Sequence, residues 1–191
     1  LVEHLLSRVE MLLIGGGMAF TFLSALGYGV GRSLLESGHL ETARAILARA
    51  RSLGVKVRLP VDVVVAPSLD SIEGIRTVGV REIPDDLMGL DLGPLTVAQF
   101  GAALKSAKTV LWNGPMGVFE KPPFAAGTVG VARAVAGCGA FSVIGGGDTI
   151  AAVRHAGVTD RIGYISTAGG AFLEFLEGRV LPGVAALNEA P

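Results

Sequence analysis

The sequence predicts an α/β fold of three layers, a mostly parallel sheet with helices on both faces, and three observations carry that prediction. Short, predominantly apolar runs, among them Met11 to Ile14, Thr109 to Trp112 and Phe141 to Ile144, alternate with longer stretches of helical periodicity. Strands without a polar face belong in parallel sheets buried between helices. Glycine supplies 28 of 191 residues, about twice its usual share, and sits between those runs with no collagen-like period. Half of the residues are hydrophobic and 17% are charged, so the chain can bury enough apolar surface to offset its ordering entropy.

Each element follows in order. Val2 to Glu10 reads as a helix with Leu5, Leu6 and Val9 on one face. Met11 to Ile14 is a short strand, Gly15 to Gly17 its turn, and Met18 to Leu26 a helix stopped by Gly27. Leu40 to Leu53 is a helix whose Ala43, Ile46, Leu47 and Ala50 share one side, and Gly54 ends it. Val55 to Leu59 and Val61 to Ala66 read as strands separated by Pro60, and Arg76 to Val80 as an edge strand. Ile83 to Asp91 reads as irregular and turn-rich. Pro94 opens a helix over Leu95 to Ala107, followed by the strand Thr109 to Trp112 and the helix Phe124 to Ala136. Phe141 to Ile144 feeds Gly145 to Gly147 and the helix Asp148 to His155; Tyr164 to Ser166 is the last strand and Ala171 to Leu176 the last helix.

Composition removes several classes of function. Sixteen basic against seventeen acidic residues leave a net charge of −1, without the basic stripe of a nucleic-acid binder. A single cysteine, Cys138, can form neither an internal disulfide nor a CxxC metal site, and implies a reducing compartment. Met11 to Gly31 carries no charge over 21 positions, but six glycines make strand, turn and buried helix the better reading than a membrane span. The start, with Glu3 and Arg8, shows no signal-peptide pattern. His4, His39 and His155 are scattered, away from any acidic or cysteine cluster, and read as structural.

Two turns look alike: Ile14 to Met18 and Ile144 to Thr149 each leave an apolar strand and open a helix. Bare backbone N–H groups at a helix N-terminus make an anion site. In the second turn Asp148 reads either as a ligand for Mg²⁺, which takes one or two carboxylates plus phosphate oxygens, or as a plain helix cap. Thr149 offers a hydroxyl to the same phosphate. A third loop, Trp112 to Glu120 (WNGPMGVFE), offers the Asn113 amide at a strand end and the Glu120 carboxylate for ribose hydroxyls. No Walker A loop and no GxGxxG occurs.

Taken together, the motifs resemble those of the phosphoglycerate kinase family. They are LIGGGMAFTF at 13–22, LPVDV at 59–63, EIPDD at 82–86, MGLDLGP at 88–94, the 112–120 loop, IGGGDT at 144–149, LEFLEG at 173–178 and LPGV at 181–184. They run in the family's order along nearly the whole chain.

The resemblance implies a Rossmann-like, C-terminal nucleotide-binding domain of a two-domain glycolytic enzyme, spanning residues 1–191. It implies phosphoryl transfer between 1,3-bisphosphoglycerate and Mg-ADP, giving 3-phosphoglycerate and ATP. Carried over by position, Gly16, Gly17, Gly89 and Leu90 would line the adenine pocket, with Val118 against the base and Glu120 at the ribose. Asn113 and Pro115 would lie near the phosphates, Gly146 and Gly147 would offer N–H groups to the transferring phosphoryl, Asp148 would hold magnesium, and Thr149 would contact a phosphate. A cytoplasmic monomer is implied for the full-length enzyme. The family's preceding half, which binds 3-phosphoglycerate, and the first strand of this domain with its Gly-Gly-Ala-Lys turn do not occur in the 191 residues. The expectation is a fragment with an exposed sheet edge, inactive alone. The family's last glycine turn also departs here, reading STAGGA at 166–171, where Ala168 would restrict φ. The alternative is a non-catalytic nucleotide- or phosphate-binding module indifferent to magnesium.

Overall fold

The computed structural model describes residues 2–188. In chain order its elements are α1 (Val2–Leu5), β1 (Met11–Leu13), α2 (Gly16–Ala25), α3 (Leu40–Leu53), β2 (Lys56–Arg58), β3 (Asp62–Ala66), β4 (Arg76–Gly79), β5 (Met88–Leu92) and α4 (Pro94–Leu104). They continue with β6 (Thr109–Asn113), α5 (Ala126–Gly137), β7 (Phe141–Gly145), α6 (Gly147–His155), β8 (Tyr164–Ile165), α7 (Gly170–Leu176) and α8 (Pro182–Asn188). Short 3₁₀ turns stand before α3, before α5 and before β8.

Three groups of strands form. β1 pairs with β2, and β6–β7–β8 pair in that order, all in parallel. β3 lies between β4 and β5, antiparallel to both. The fold is therefore mixed α/β with parallel sheets flanked by helices, as the sequence predicts. The antiparallel unit is an addition to that prediction. No helix intervenes between β3, β4 and β5, and a parallel return needs a crossover of a dozen or more residues, usually helical.

The core forms around the parallel strands. Trp112 and Ile144 on β6 and β7 pack with Phe100 of α4, Val131 and Val135 of α5 and Val153 of α6. Leu13 of β1 packs against that same cluster from its margin. A second cluster joins Ile14, Phe22 and Ala25 to Ala43, Ile46 and Ala50 of α3, whose other side faces water. α2 is buried on nearly every side, through Ala19, Phe20, Thr21, Phe22 and Leu23, so the uncharged 11–31 stretch is strand and core helix. Among the described residues no helix is long and apolar enough to cross a membrane.

Three local expectations change. The first helix ends at Leu5 rather than Glu10, because the apolar residues are used by a turn that buries Leu6. The stretch expected to be irregular ends in β5: Gly89 and Asp91 are poor strand formers, but the Phe20 ring fills the space of a Gly89 side chain. α8 is an addition to the expected elements. By contrast Gly54, at φ 72°, closes α3 as predicted, and Asp62 reaches across to cap α4, accepting from Leu95 N–H at 3.0 Å and Thr96 N–H at 2.7 Å.

Candidate functional site

Turns that leave β1, β6 and β7 come together. Gly16 has φ 62°, and a Cβ there would lie 2.7 Å from the Pro115 carbonyl oxygen, so the first turn lies directly on the 113–118 loop. That loop is tied in turn to the third: Gly114 N–H donates to Thr149 Oγ1 at 2.6 Å, and Asn113 Oδ1 occupies the space a Gly146 side chain would need. The pairing of Asn113 with Gly145 across β6 and β7 sets this register.

Between the β1 turn, β5 and the 113–118 loop opens a cleft of about 530 Å³. Gly16, Gly17, Gly89, Leu90, Pro115 and Val118, all expected from the motifs, line it. Val118 N–H donates to Leu90 C=O at 2.9 Å, which joins the two walls. Asn113, Glu120, Gly146, Gly147, Asp148 and Thr149 do not line the cleft; they stand on the turns that continue from it. Glu120 is exposed and follows Phe119, whose buried ring meets the His155 ring edge-on at 5.9 Å. Phe119 thus packs on the same helix, α6, that has Asp148 in its first turn, and Glu120 follows it on the surface.

At the start of α6 the geometry suits an anion. Gly146, at φ 85°, is the helix cap, and Gly147 is exposed with open space where a side chain would project. The first N–H groups of a helix lack partners within it and carry the positive end of its dipole. Asp148 makes no capping hydrogen bond, so the plain-cap reading of that residue does not hold. It is exposed on the first turn, one hard carboxylate beside free N–H groups. That donor fits Mg²⁺ completed by phosphate oxygens and water; among the described residues no group of three His, Cys, Asp or Glu forms a closed metal cage.

A carboxylate the motifs did not single out stands in the cleft wall. Asp91 is 3% exposed; its Oδ2 accepts from Gly127 N–H at 2.6 Å while Oδ1 has no hydrogen-bond partner. Burial pushes its carboxyl up to about 6, against the pull of the Gly127, Leu92 and Thr128 N–H groups. Gly117 and Gly127 leave it room, since a Cβ on either would stand 2.2 or 2.3 Å from Oδ1.

A family model described as phosphoglycerate kinase matches residues 1–179. The chain belongs to the phosphoglycerate kinase family. It is 55% identical over 187 residues to the phosphoglycerate kinase of Desulfosudis oleivorans, covering 98% of this chain and 47% of that protein. It is 54% identical over 188 residues to that of Thermus thermophilus, covering 98% and 48%. The solved phosphoglycerate kinase of Coxiella burnetii superposes with a TM-score of 0.95 at 43% identity, over 98% of this chain and 48% of that one. That of Pyrococcus horikoshii superposes at 0.76 with 34% identity, over 98% and 47%. The chain spans about half the length of the curated relatives it matches.

Within this phosphoglycerate kinase fold, the last glycine turn tolerates its alanine. No residue other than glycine has positive φ among the described residues, so Ala168 is unstrained, and Gly169 takes the φ of 55° ahead of α7. Arg32, Leu34 and Leu69 also line the cleft without being foreseen from the motifs. They come from connections whose paths are set only by tertiary packing, and no short motif marks them.

Proposed function

We propose that residues 1–191 are the C-terminal, nucleotide-binding domain of a phosphoglycerate kinase. Together with an N-terminal half that binds 3-phosphoglycerate, it transfers a phosphoryl group between 1,3-bisphosphoglycerate and Mg-ADP in glycolysis, as a cytoplasmic monomer. The observation that carries this reading is the junction of three strand-end turns beside a glycine-walled cleft of about 530 Å³. Two further facts agree: the chain covers 47% of a relative such as the Desulfosudis enzyme, and β1 and β6 each have a partner on one side only among the described residues, where the family's first strand of this same domain would pair.

In this reading the adenine lies in the cleft between Gly16, Gly17, Gly89 and Leu90, with Val118 against the base. Thin glycine walls admit a flat ring that side chains would exclude. Glu120 accepts from the ribose hydroxyls. Asn113, Pro115 and Thr149 lie along the phosphates, and the N–H groups of Gly146 and Gly147 meet the transferring phosphoryl. Such transfer depends on positioning and charge stabilisation more than on covalent chemistry. Asp148 holds magnesium, which when bound neutralises charge on the phosphate oxygens. Fixed N–H donors at the start of α6 need no rearrangement as that charge shifts.

Titration calorimetry of the chain with ADP, with and without Mg²⁺, tests the proposal. Wild type should bind ADP more tightly with Mg²⁺, and Asp148→Ala should lose that gain while keeping metal-free binding. Equal affinity in both conditions for both proteins would favour a non-catalytic binding module and overturn the kinase assignment of Asp148.

A further inference from the structure

The outer edge of the β1–β2 pair takes no part in the proposed nucleotide site. β2 has β1 as its one neighbour in the sheet among the described residues. Lys56 N–H donates to Glu10 C=O and Arg58 C=O accepts from Ile14 N–H, both at 3.0 Å. Successive residues of a strand aim their backbone groups at opposite edges. The N–H and C=O of Val57 therefore point away from β1, and nothing engages them among the described residues. Such an edge is a template for a further strand.

The two faces of this edge differ. On one, Val57 packs with Ala43, Ile46 and Ala50 of α3. It lies there beside an open groove of about 380 Å³, apolar at Leu26, Leu47 and Leu59, with Arg51 on its lining. On the other face Lys56 and Arg58 are exposed, because alternate side chains leave a strand on opposite sides. Residues 42–61 hold five cations and no acid, in a chain whose net charge is −1. Arg44 pairs with Glu41. The side chains of Arg49, Arg51, Lys56 and Arg58 have neither a hydrogen bond nor an ion pair among the described residues.

We propose that β2 and the groove dock an extended acidic segment of a partner protein, in which apolar and carboxylate side chains alternate. The segment pairs with the free N–H and C=O of Val57. Its side chains of one parity then enter the groove, and those of the other meet Lys56 and Arg58. Main-chain bonds supply affinity in this mode of recognition, and alternate side chains supply specificity. The charges also select against a second copy of the chain. Pairing β2 with itself would set Lys56 and Arg58 against cations, and like charges across a strand pair are destabilising. A helical partner would leave the Val57 groups unpaired.

The test is fluorescence polarisation of the chain with three labelled, capped heptapeptides, alternating glutamate with valine, glutamate with serine, or lysine with valine. Wild type should bind the glutamate–valine peptide saturably, with Kd below about 1 mM. It should bind the glutamate–serine peptide roughly tenfold or more weakly, since the groove stays unfilled, and the lysine–valine peptide not at all. The exposed double reversal Lys56→Glu/Arg58→Glu should exchange the preference for the lysine–valine peptide, a gain that a folding defect cannot produce. Val57→Pro removes the outward N–H at a position where an edge strand tolerates proline, and should weaken glutamate–valine binding by about fivefold or more, the value of one or two lost hydrogen bonds. The proposal is overturned if wild type shows no saturable binding of the glutamate–valine peptide, or if valine and serine peptides bind alike. A preference unchanged by the double reversal, or an affinity unchanged in Val57→Pro, overturns it as well. Wild type that binds phosphatidylserine vesicles but no peptide would assign the edge to a lipid surface. A concentration-dependent dimer abolished by the double reversal would assign it to a second copy, and either result replaces the acidic segment.

Discussion

The hydroxyl oxygen of Thr149 accepts a 2.6 Å hydrogen bond from the backbone N–H of Gly114. The two residues belong to turns that leave neighbouring parallel strands, and Thr149 is buried at 1% exposure. This bond holds the 113–118 loop in register with the start of α6, so one side chain fixes the spacing between two segments proposed to meet the phosphates. Thr149→Val keeps the shape but leaves a partly buried N–H unsatisfied, which costs about 1–3 kcal/mol. The expected outcome is a Tm lower by roughly 3–10 °C for a chain of this size, with weaker Mg-ADP binding. Thr149→Ser should restore both; an unchanged Tm in the valine variant would show that the bond does not fasten the loop.

Asp91 makes stability depend on pH in the direction opposite to an ion-paired carboxylate. Burial raises its carboxyl from 3.8 to about 6, so the folded chain holds that proton more tightly than the unfolded chain. Its contribution is complete below about pH 4 and is lost as pH rises through 6, where the native state must ionise a buried group. A rise of about two pH units corresponds to roughly 3 kcal/mol. Asp91→Asn keeps an acceptor for Gly127 N–H and removes the titration. Urea unfolding from pH 4 to 8 should therefore show the wild type losing stability relative to Asp91→Asn by most of that amount, with a flat difference above about pH 7. A difference independent of pH would contradict the assignment.

Asp91 also shows where reading the sequence stops. The triple-glycine turns, the WNGP loop and Asp148 stand out in the sequence because the anion site proposed for them needs glycine and one acid at strand ends, a local requirement written in consecutive residues. β5 was not legible: Gly89 and Asp91 look like turn residues, and only the Phe20 ring and Gly127 N–H, far away in sequence, explain why they stand in a strand. The antiparallel placement of β3 was hidden for a related reason, since an apolar run such as 63–66 fits either orientation and the missing helical crossover decides. Gly117 and Gly127 likewise look like ordinary loop and helix glycines until the carboxylate packed against both is seen.

Gly16 joins backbone geometry to the site. Its φ of 62° disfavours any side chain, and a Cβ would approach the Pro115 carbonyl oxygen to 2.7 Å. Gly16→Ala therefore combines backbone strain of about 1–2 kcal/mol with displacement of the wall opposite Gly89. Denaturant unfolding should register that loss, and ADP binding should fall by a larger factor than the same alanine substitution at Gly147, where nothing lies within 4 Å of the added methyl. Equal effects at the two glycines would mean that contact between the first and second turns does not shape the cleft.

Phe119 pins to α6 the chain segment that precedes Glu120. Its ring is 6% exposed, packs with Ala125 and Ala152, and meets His155 edge-on, so the exposed acid beside it is referenced to α6. If Glu120 accepts from ribose hydroxyls, its worth is read by comparing ADP with 2′-deoxy-ADP. Wild type should prefer ADP by about fivefold or more, the value of a charge-assisted hydrogen bond, and Glu120→Ala should bring the ratio near one. Phe119→Ala opens a cavity that costs about 3 kcal/mol, and it should also shrink the ratio although the acid remains, because Glu120 is no longer held at a fixed place. Phe119→Leu, which refills most of the space, should recover the ratio along with most of the stability. A ratio that follows Glu120 but ignores Phe119 would mean the acid finds the ribose from a mobile loop, and the packing against α6 then serves stability alone.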